Sequence, residues 1–433
     1  MKKNVVAFIS ILLVALLLSA CSEGSETSGE GKKKKVPEGR TEVVMWNLFG
    51  GGDAEYMEEI VTAYNDSQDV YFINNVFQEY EEYYTKLLTS IASGKGPDMA
   101  IAHNYVIPEL VVQGLVTNID EYASDVGLIW DEYNQNVLDA TIFDGENYAV
   151  PIDTHPEIMF INNDLVQEAG LLNDDGTPMM EETPEGFVEF LTKLKEQLPD
   201  DKMAFAFSTN GEDPYRIWWA LYNQLGGEHI VAGDLENPDY VLDTEKAIQA
   251  AQYIYDFYHT HEVVPLNLAD FYSDFQSGNA AVMATGVWAT GIWETTDDLN
   301  FTAMPFPNMF GQDAAWAGSH TFVLPYYSKV DEEVQKGAVE FMKYATDNGV
   351  MWAEAGHIPA KDTVVESDEF NELPYRGDYA QVADYVKFAD KTVHARGIQG
   401  IVIRNLDKIW ADEATPEEAF ETIEQEVTEL ISE

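Results

Sequence analysis

The chain of 433 residues carries 24 Lys and Arg against 77 Asp and Glu, a formal net charge of −53, and a surface of that sign repels nucleic acid and anionic lipid. With 45% hydrophobic and 12% aromatic residues the chain has ample material for a core, so the acidity belongs to the surface of a folded protein; we read it as adaptation to a saline or alkaline exterior. A single cysteine excludes an internal disulfide and leaves stability to core burial.

The first residues read as a secretory signal of the lipoprotein kind. Lys2 and Lys3 precede an apolar run from Val5 to Leu18, which is followed by Ser19, Ala20 and Cys21. The run is shorter than the ~20 residues a membrane span needs. Residues 1–20 are therefore expected to be removed as a signal peptide, with Cys21 becoming the lipidated N-terminus. Residues 21–40, polar and including Lys32 to Lys35, read as a flexible tether.

From Thr41 onward, strand-like and helix-like segments alternate, which predicts an α/β architecture. Glu42 to Phe49 reads as a strand, punctuated by Gly50-Gly51-Gly52. Tyr56, Ile60, Val61 and Tyr64 recur at helical spacing, and a second strand follows at Val70 to Val76. A helix from Tyr80 to Ala92 stops at Gly94-Lys95-Gly96-Pro97, before a short buried strand at Met99 to Ala102. Strands at Tyr148 to Ile152 and Ile158 to Ile161 flank Asp153-Thr154-His155-Pro156, which suits a crossing between lobes. Beyond it, helices are predicted over Thr183 to Leu198, around Trp218 and Trp219, over Thr244 to Tyr258 and over Leu268 to Ser277. Strands are expected at Ala204 to Ser208, Ala280 to Thr285, Phe301 to Pro305 and Phe322 to Pro325. Thr415-Pro416-Glu417-Glu418 combines a hydroxyl cap, a first-turn proline and a third-position glutamate, so a last helix runs to Ile431.

The order of these segments resembles that of the extracellular solute-binding proteins of the maltose-binding-protein-like kind. The resemblance covers residues 41–433. It is carried by Ile91-Ala92-Ser93-Gly94 through Pro97-Asp98, Tyr148-Ala149-Val150-Pro151, Ile161-Asn162-Asn163-Asp164-Leu165, Gly278-Asn279-Ala280-Ala281-Val282-Met283 through Trp288, and Gly356-His357-Ile358-Pro359-Ala360. It implies a type II, periplasmic-binding-protein-like α/β fold of two lobes, each a mixed sheet flanked by helices and joined by hinge segments. The expected division is 41–152 and 304–351 in the first lobe and 153–303 and 352–433 in the second. Crossings are expected near Asp153, Met304 and Trp352.

The resemblance further implies a sugar, most simply an oligosaccharide, held between the lobes and delivered to the permease of an ABC importer. Aromatic faces would meet the C–H patches of the rings, and amides or carboxylates would bind paired hydroxyls. Asn104 and Tyr105, in His103-Asn104-Tyr105, match a sugar-contacting loop. Asp213 and Tyr215 fall where the family places an acid and a stacking aromatic, and Trp288 falls where it places a tryptophan platform. Glu81 and Glu82 lie where acidic groups come from the first lobe. Asn47, Asp153, His155 and Ser319 complete the expected set, with His155 standing where relatives often carry an acid. The protein is expected to be a monomer held at the extracellular face by the lipid on Cys21, with no cofactor, no metal and no catalytic residue.

Other chemistries rank lower. Neither Gly94-Lys95-Gly96 nor Gly50-Gly51-Gly52 has the spacing of a nucleotide-binding loop. His259-Thr260-His261 sits at a predicted helix end, without a further ligand motif beside it. The alternatives left open are a surface-anchored glycosidase or lyase, for which 77 acids make any carboxylate pair arguable, and a receptor for a non-sugar solute. Phosphate capture would want clustered cations, and Arg216 is the one obvious cation among the segments assigned to the cleft.

Overall fold

A computed structural model describes residues 35–266, 268, 270–329 and 331–432; the expected signal peptide and Cys21 lie outside the described residues. Among the described residues, twelve strands build the two large sheets, one per lobe. They are β1 (Thr41–Asn47), β2 (Tyr71–Phe77), β3 (Met99–His103), β4 (Ala149–Pro151), β5 (Asp153–Asn162), β6 (Met203–Ala206), β7 (Ala280–Gly286), β8 (Phe301–Pro305), β9 (Ala315–Gly318), β10 (His320–Val323), β11 (Ile358–Pro359) and β12 (Val386–Lys387).

The first sheet runs β2-β1-β3-β10-β4. The β1–β2 and β1–β3 pairs are parallel, and β10 lies antiparallel to both β3 and β4. Helices α1 (Gly51–Ser67) and α2 (Tyr80–Ala92) are the crossovers that parallel pairing requires. Their apolar residues Met57, Ile60, Val61, Tyr83, Leu87 and Ile91 join Val43, Met45 and Ile101 in one core.

The second sheet runs β12-β9-β5-β7-β6, with β8 and β11 also pairing to β5. All ten residues of β5 are buried, because both faces of this sheet are covered. Ile158 and Phe160 enter one core while Met159 and Ile161 enter another, as the two-residue period of a strand dictates. One of these cores receives α3 (Glu212–Gln224), α4 (Ala395–Trp410) and α5 (Pro416–Leu430) through Trp218, Val402 and Ile423. Thr415 and Glu418 form the reciprocal capping box read from the sequence. Asn162 caps the helix that follows β5 by accepting from the Leu165 N–H, which gives the Ile161-to-Leu165 motif a structural role.

The chain passes between sheets at Ile152–Asp153 and again at Gly318–Ser319–His320. This second crossing corrects the expectation of one near Met304. Met304 instead pairs with Met159 in the second sheet, and Phe306, Met309 and Trp316 pack in that lobe's core. The third passage follows Trp352, whose ring belongs to the first lobe's core while Ala353 and Ile358 belong to the second's. No helix among the described residues is long and apolar enough to cross a membrane.

Candidate functional site

The strand ends and the three passages frame a cleft of about 410 Å³, in the usual position for α/β folds, beyond the strand ends. One wall comes from the first lobe: Leu48, Phe49, Gly50 and Asp53 after β1, Tyr80 at the start of α2, and Tyr105 after β3. The opposite wall comes from the second: Glu212, Arg216, Tyr272, Trp288, Trp316 and Gln399. The floor is made by His103, His155, Gly318, His320 and His357. Four of the chain's eight histidines meet there.

Beneath the floor lies Asp153, fully buried. Its Oδ1 accepts from the His320 backbone N–H at 2.9 Å and pairs with His155 Nδ1 at 3.0 Å. Its Oδ2 accepts from the Trp352 indole N–H at 2.6 Å and pairs with His320 Nδ1 at 2.8 Å. Burial works to raise this carboxyl, but the two imidazoles and their hydrogen bonds hold it well below the usual carboxylate range. Burial also dominates at His155, where with His320 alongside it pulls the imidazole down to about 3, and at His103, which is likewise lowered. The rings of His155 and His320 stack with centroids 4.2 Å apart. His357 stacks on Trp352 at 4.6 Å and 4°, with its Nε2 on Asp53 Oδ1 at 3.2 Å. Burial opposes its protonation, and Asp53 more than offsets that, so its pKa is raised.

The second wall is built around Arg216. The guanidinium contacts Glu157 Oε1 at 3.1 Å and Asp213 Oδ1 at 2.9 Å, and pairs with Glu212 one turn earlier on α3. It lies 4.9 Å from the Trp288 ring and 4.5 Å from the Trp316 ring, so aromatic faces and three carboxyls take up its charge. Burial, then Asp213, pushes Glu157 well above the carboxylate range, and burial also raises Asp213. The Trp288 indole N–H donates to Tyr272 Oη at 3.0 Å. Both of these aromatics therefore stand in the wall with their polar ends satisfied.

Of the residues expected from the sequence, Tyr105, His155 and Trp288 line the cleft. Asp153 sits under the floor. Asp213 stands behind the wall and reaches the cleft only through Arg216. Ser319 is fully buried at the crossing, where its hydroxyl donates to the Asp153 carbonyl and its N–H to Asn104 Oδ1 at 3.2 Å. Asn104 thus holds the crossing and borders a smaller cavity beside Tyr105. Asn47 is turned to its own loop, its Oδ1 accepting the Phe49 N–H and its amide bonded to Asn75. Tyr215 packs inward against Trp218 at 6.0 Å, because α3 turns that face to the core. Glu81 and Glu82 are exposed on the first turn of α2, outside the cleft lining.

Sequence reading missed Tyr80, Tyr272, Trp316 and His357 as wall and floor residues, and Gly318-Ser319-His320, which reads from the sequence as a cleft edge, places His320 in the floor. His357 lies within the Gly356-to-Ala360 motif singled out in the sequence, and that was the available signal. His259, considered as a metal ligand, instead bonds the Trp410 carbonyl through Nε2 at 2.9 Å.

Two α/β lobes with three chain passages and an aromatic cleft between them define a two-lobed solute-binding protein. The bacterial extracellular solute-binding protein family matches residues 51–352, and the chain belongs to that family. Its relatives include the arabinooligosaccharide-binding protein of Halalkalibacterium halodurans, 25% identical over 352 residues that cover 77% of this chain and 75% of that one. The maltotriose-binding protein of Pyrococcus abyssi is 22% identical over 384 residues, covering 86% and 78%. Among solved structures, the cyclic alpha-maltosyl-1,6-maltose binding protein from Arthrobacter globiformis superposes with a TM-score of 0.74 at 21% identity, over 91% of this chain and 99% of that one.

Proposed function

We propose that the protein is the lipid-anchored, extracellular receptor of an ABC importer, and that it captures an uncharged oligosaccharide between its lobes and hands it to a membrane permease. The observation that carries the ligand class is the commitment of Arg216. It is the sole Lys or Arg among the described residues lining the cleft, and its guanidinium is already engaged by Glu157, Asp213 and Glu212. No free cation is left to hold a phosphate or a carboxylate, whereas Trp288, Trp316, Tyr80, Tyr105 and Phe49 offer the faces that sugar rings stack on. The names of the relatives, arabinooligosaccharide- and maltotriose-binding proteins, support the same class.

In this reading Trp288 and Tyr105 contact the rings, and Glu212, Gln399 and the floor imidazoles meet hydroxyls. Asp153, Asp213, Asn104 and Ser319 act by holding those groups in place. Cys21 carries the lipid, the protein works as a monomer, and binding proceeds without turnover. A thermal-shift screen of neutral arabino- and malto-oligosaccharides tests the reading, since a ligand that prefers the native state raises its melting temperature. Stabilisation by one series with the sugar recovered intact supports it; release of new reducing ends, or stabilisation only by phosphorylated or peptide solutes, overturns it.

A further inference from the structure

The donor atoms beneath the cleft are arranged around a point as well as along hydrogen bonds. One from each of Asp153, His155, His320 and His357 falls within 4.8 Å of every other, and all four residues are buried. Nδ1 of His155, His320 and His357 stands 3.0, 2.8 and 3.6 Å from the Asp153 carboxylate oxygens. Ligands at 2.0–2.2 Å around a tetrahedral ion are separated from each other by about 3.3 Å, which these three distances bracket. The wider separations close by rotation of the rings.

His357 supplies a second, independent observation. Its Nε2 faces the Asp53 carboxylate at 3.2 Å, an acceptor-only group, so Nε2 is the ring nitrogen that donates and keeps its hydrogen. Nδ1 is fully buried, has no hydrogen-bond partner and stands 3.6 Å from Asp153 Oδ2. With Nε2 committed to Asp53, a positive charge belongs between Nδ1 and this carboxylate, and either a proton on the ring or a metal ion supplies it. The arrangement Asp53–His357 is also how proteins set a metal-binding imidazole, with a carboxylate on the far ring nitrogen fixing tautomer and orientation.

We infer that Asp153, His155, His320 and His357 form a four-coordinate site for a first-row transition-metal dication of the Zn²⁺ kind, tying together the three chain passages beneath the ligand cleft. Three imidazoles and one carboxylate suit Zn²⁺, Co²⁺, Ni²⁺ or Cu²⁺ and are the wrong donors for Ca²⁺ or Mg²⁺, which take oxygen. The charge also balances, since the dication is offset by the carboxylates of Asp153 and Asp53. On binding, the Nδ1 atoms of His155 and His320 would turn their lone pairs to the ion in place of their hydrogen bonds to Asp153. The His320 N–H and the Trp352 indole would stay on Asp153 as supports. Because all four positions are filled by protein, the ion is structural and leaves the sugar-binding role of the walls intact.

The experiment uses untagged full-length protein, stripped with EDTA, desalted and kept in excess Mg²⁺ to occupy surface carboxylates. Zn²⁺ is added and the protein passed through a desalting column before metal analysis; Co²⁺ is added to a second sample for its visible spectrum. One retained equivalent of Zn²⁺, a raised melting temperature and the intense visible bands of four-coordinate Co²⁺ are expected. His155→Gln and His357→Gln should each weaken Zn²⁺ binding by about tenfold or more. Failure to retain Zn²⁺, a weak six-coordinate Co²⁺ spectrum, or Zn²⁺ affinity unchanged in both variants overturns the inference, and the last outcome puts the metal on the acidic surface. If a variant does not fold, the Co²⁺ spectrum of the unaltered protein decides.

Discussion

Gly286 and Trp288 depend on each other: a Cβ at position 286 would come within 1.9 Å of the Trp288 ring, so the indole can lie in the cleft wall only because β7 ends in glycine. A ring stacked on a sugar contributes on the order of 1 kcal/mol beyond its area, and 1.4 kcal/mol is a factor of ten in affinity. Trp288→Ala is therefore expected to weaken sugar binding about tenfold or more with a modest change in melting temperature, and Gly286→Ala to weaken it in the same direction by displacing the ring. Calorimetric titration and thermal melting of both variants check this. A stability loss of roughly 3–5 kcal/mol with affinity intact would mark Trp288 as core filling.

Arg216 leads to a statement about charge. Its guanidinium is shared among Glu157, Asp213 and Glu212, so a ligand carboxylate would have to compete for it against groups already in place. Oligosaccharides that end in a uronic acid are expected to bind about tenfold or more weaker than their neutral counterparts, in competition titrations. Equal or tighter binding of the uronate would show that the arginine is available after all.

Arg216→Met is expected to cost about 3–5 kcal/mol of stability, because it leaves buried carboxyls without their cation. Glu157 is 1% exposed at its side chain and Asp213 11%, which puts this ion cluster in the interior class. Chemical denaturation of the variant measures the loss. An unchanged midpoint would mean that Glu157 and Asp213 are neutral enough to share a proton without help.

Ligand binding should bring the lobes together about Ile152–Asp153, Gly318–His320 and the segment after Trp352. Small-angle scattering is expected to show a smaller radius of gyration with saturating ligand. Identical curves would indicate that the cleft is preformed in its closed arrangement.

Cys21→Ala is expected to move the protein from the membrane fraction to the medium with unchanged affinity. Fractionation followed by titration of the released protein tests both halves. A variant that stays with the membrane would show a different means of attachment.

The surface pair His229–Asp390, with Nδ1 and Oδ1 2.7 Å apart, gives a pH dependence away from the cleft. The hydrogen bond to Asp390, against some burial, raises the His229 pKa. A folded-state pKa above the unfolded value contributes stability that is complete below about pH 6.5 and lost as pH rises through the raised value. His229→Gln should therefore lower the melting temperature at pH 6 and leave it unchanged near pH 9. Half of this histidine is exposed, so the effect at pH 6 is at most about 2 °C. An equal loss at both pH values would assign the pair a role independent of charge.

The fold was legible in the sequence because burial leaves a period. Ile60, Val61 and Tyr64 gave away α1, and the Thr415–Glu418 box gave away the start of α5. The site was legible only where one segment carries it, as at Trp288 and His155. Tyr215 misled because two positions along a helix decide between cleft and core: Asp213 faces the guanidinium while Tyr215 turns to Trp218. The crossing near Met304 failed because β8 has the composition of any buried strand, and only its pairing with β5 reveals which sheet it joins. Asp153, His320 and His357 are distant in the chain, and no spacing rule brings them together.

The order of strands in the first sheet has a consequence for biogenesis. β10 lies between β3 and β4, so the stretch that ends at Pro151 cannot close its sheet until residue 320 is available. A chain delivered N-terminus first holds β3 and β4 with unpaired edges while more than a third of the protein follows, a long exposure for strands prone to pair with neighbours. Fragments ending between residues 160 and 318 should accordingly yield no independently stable first lobe, and the growing chain would rely on a holding factor, or on its own acidic repulsion, to stay apart from its copies until the missing strand arrives.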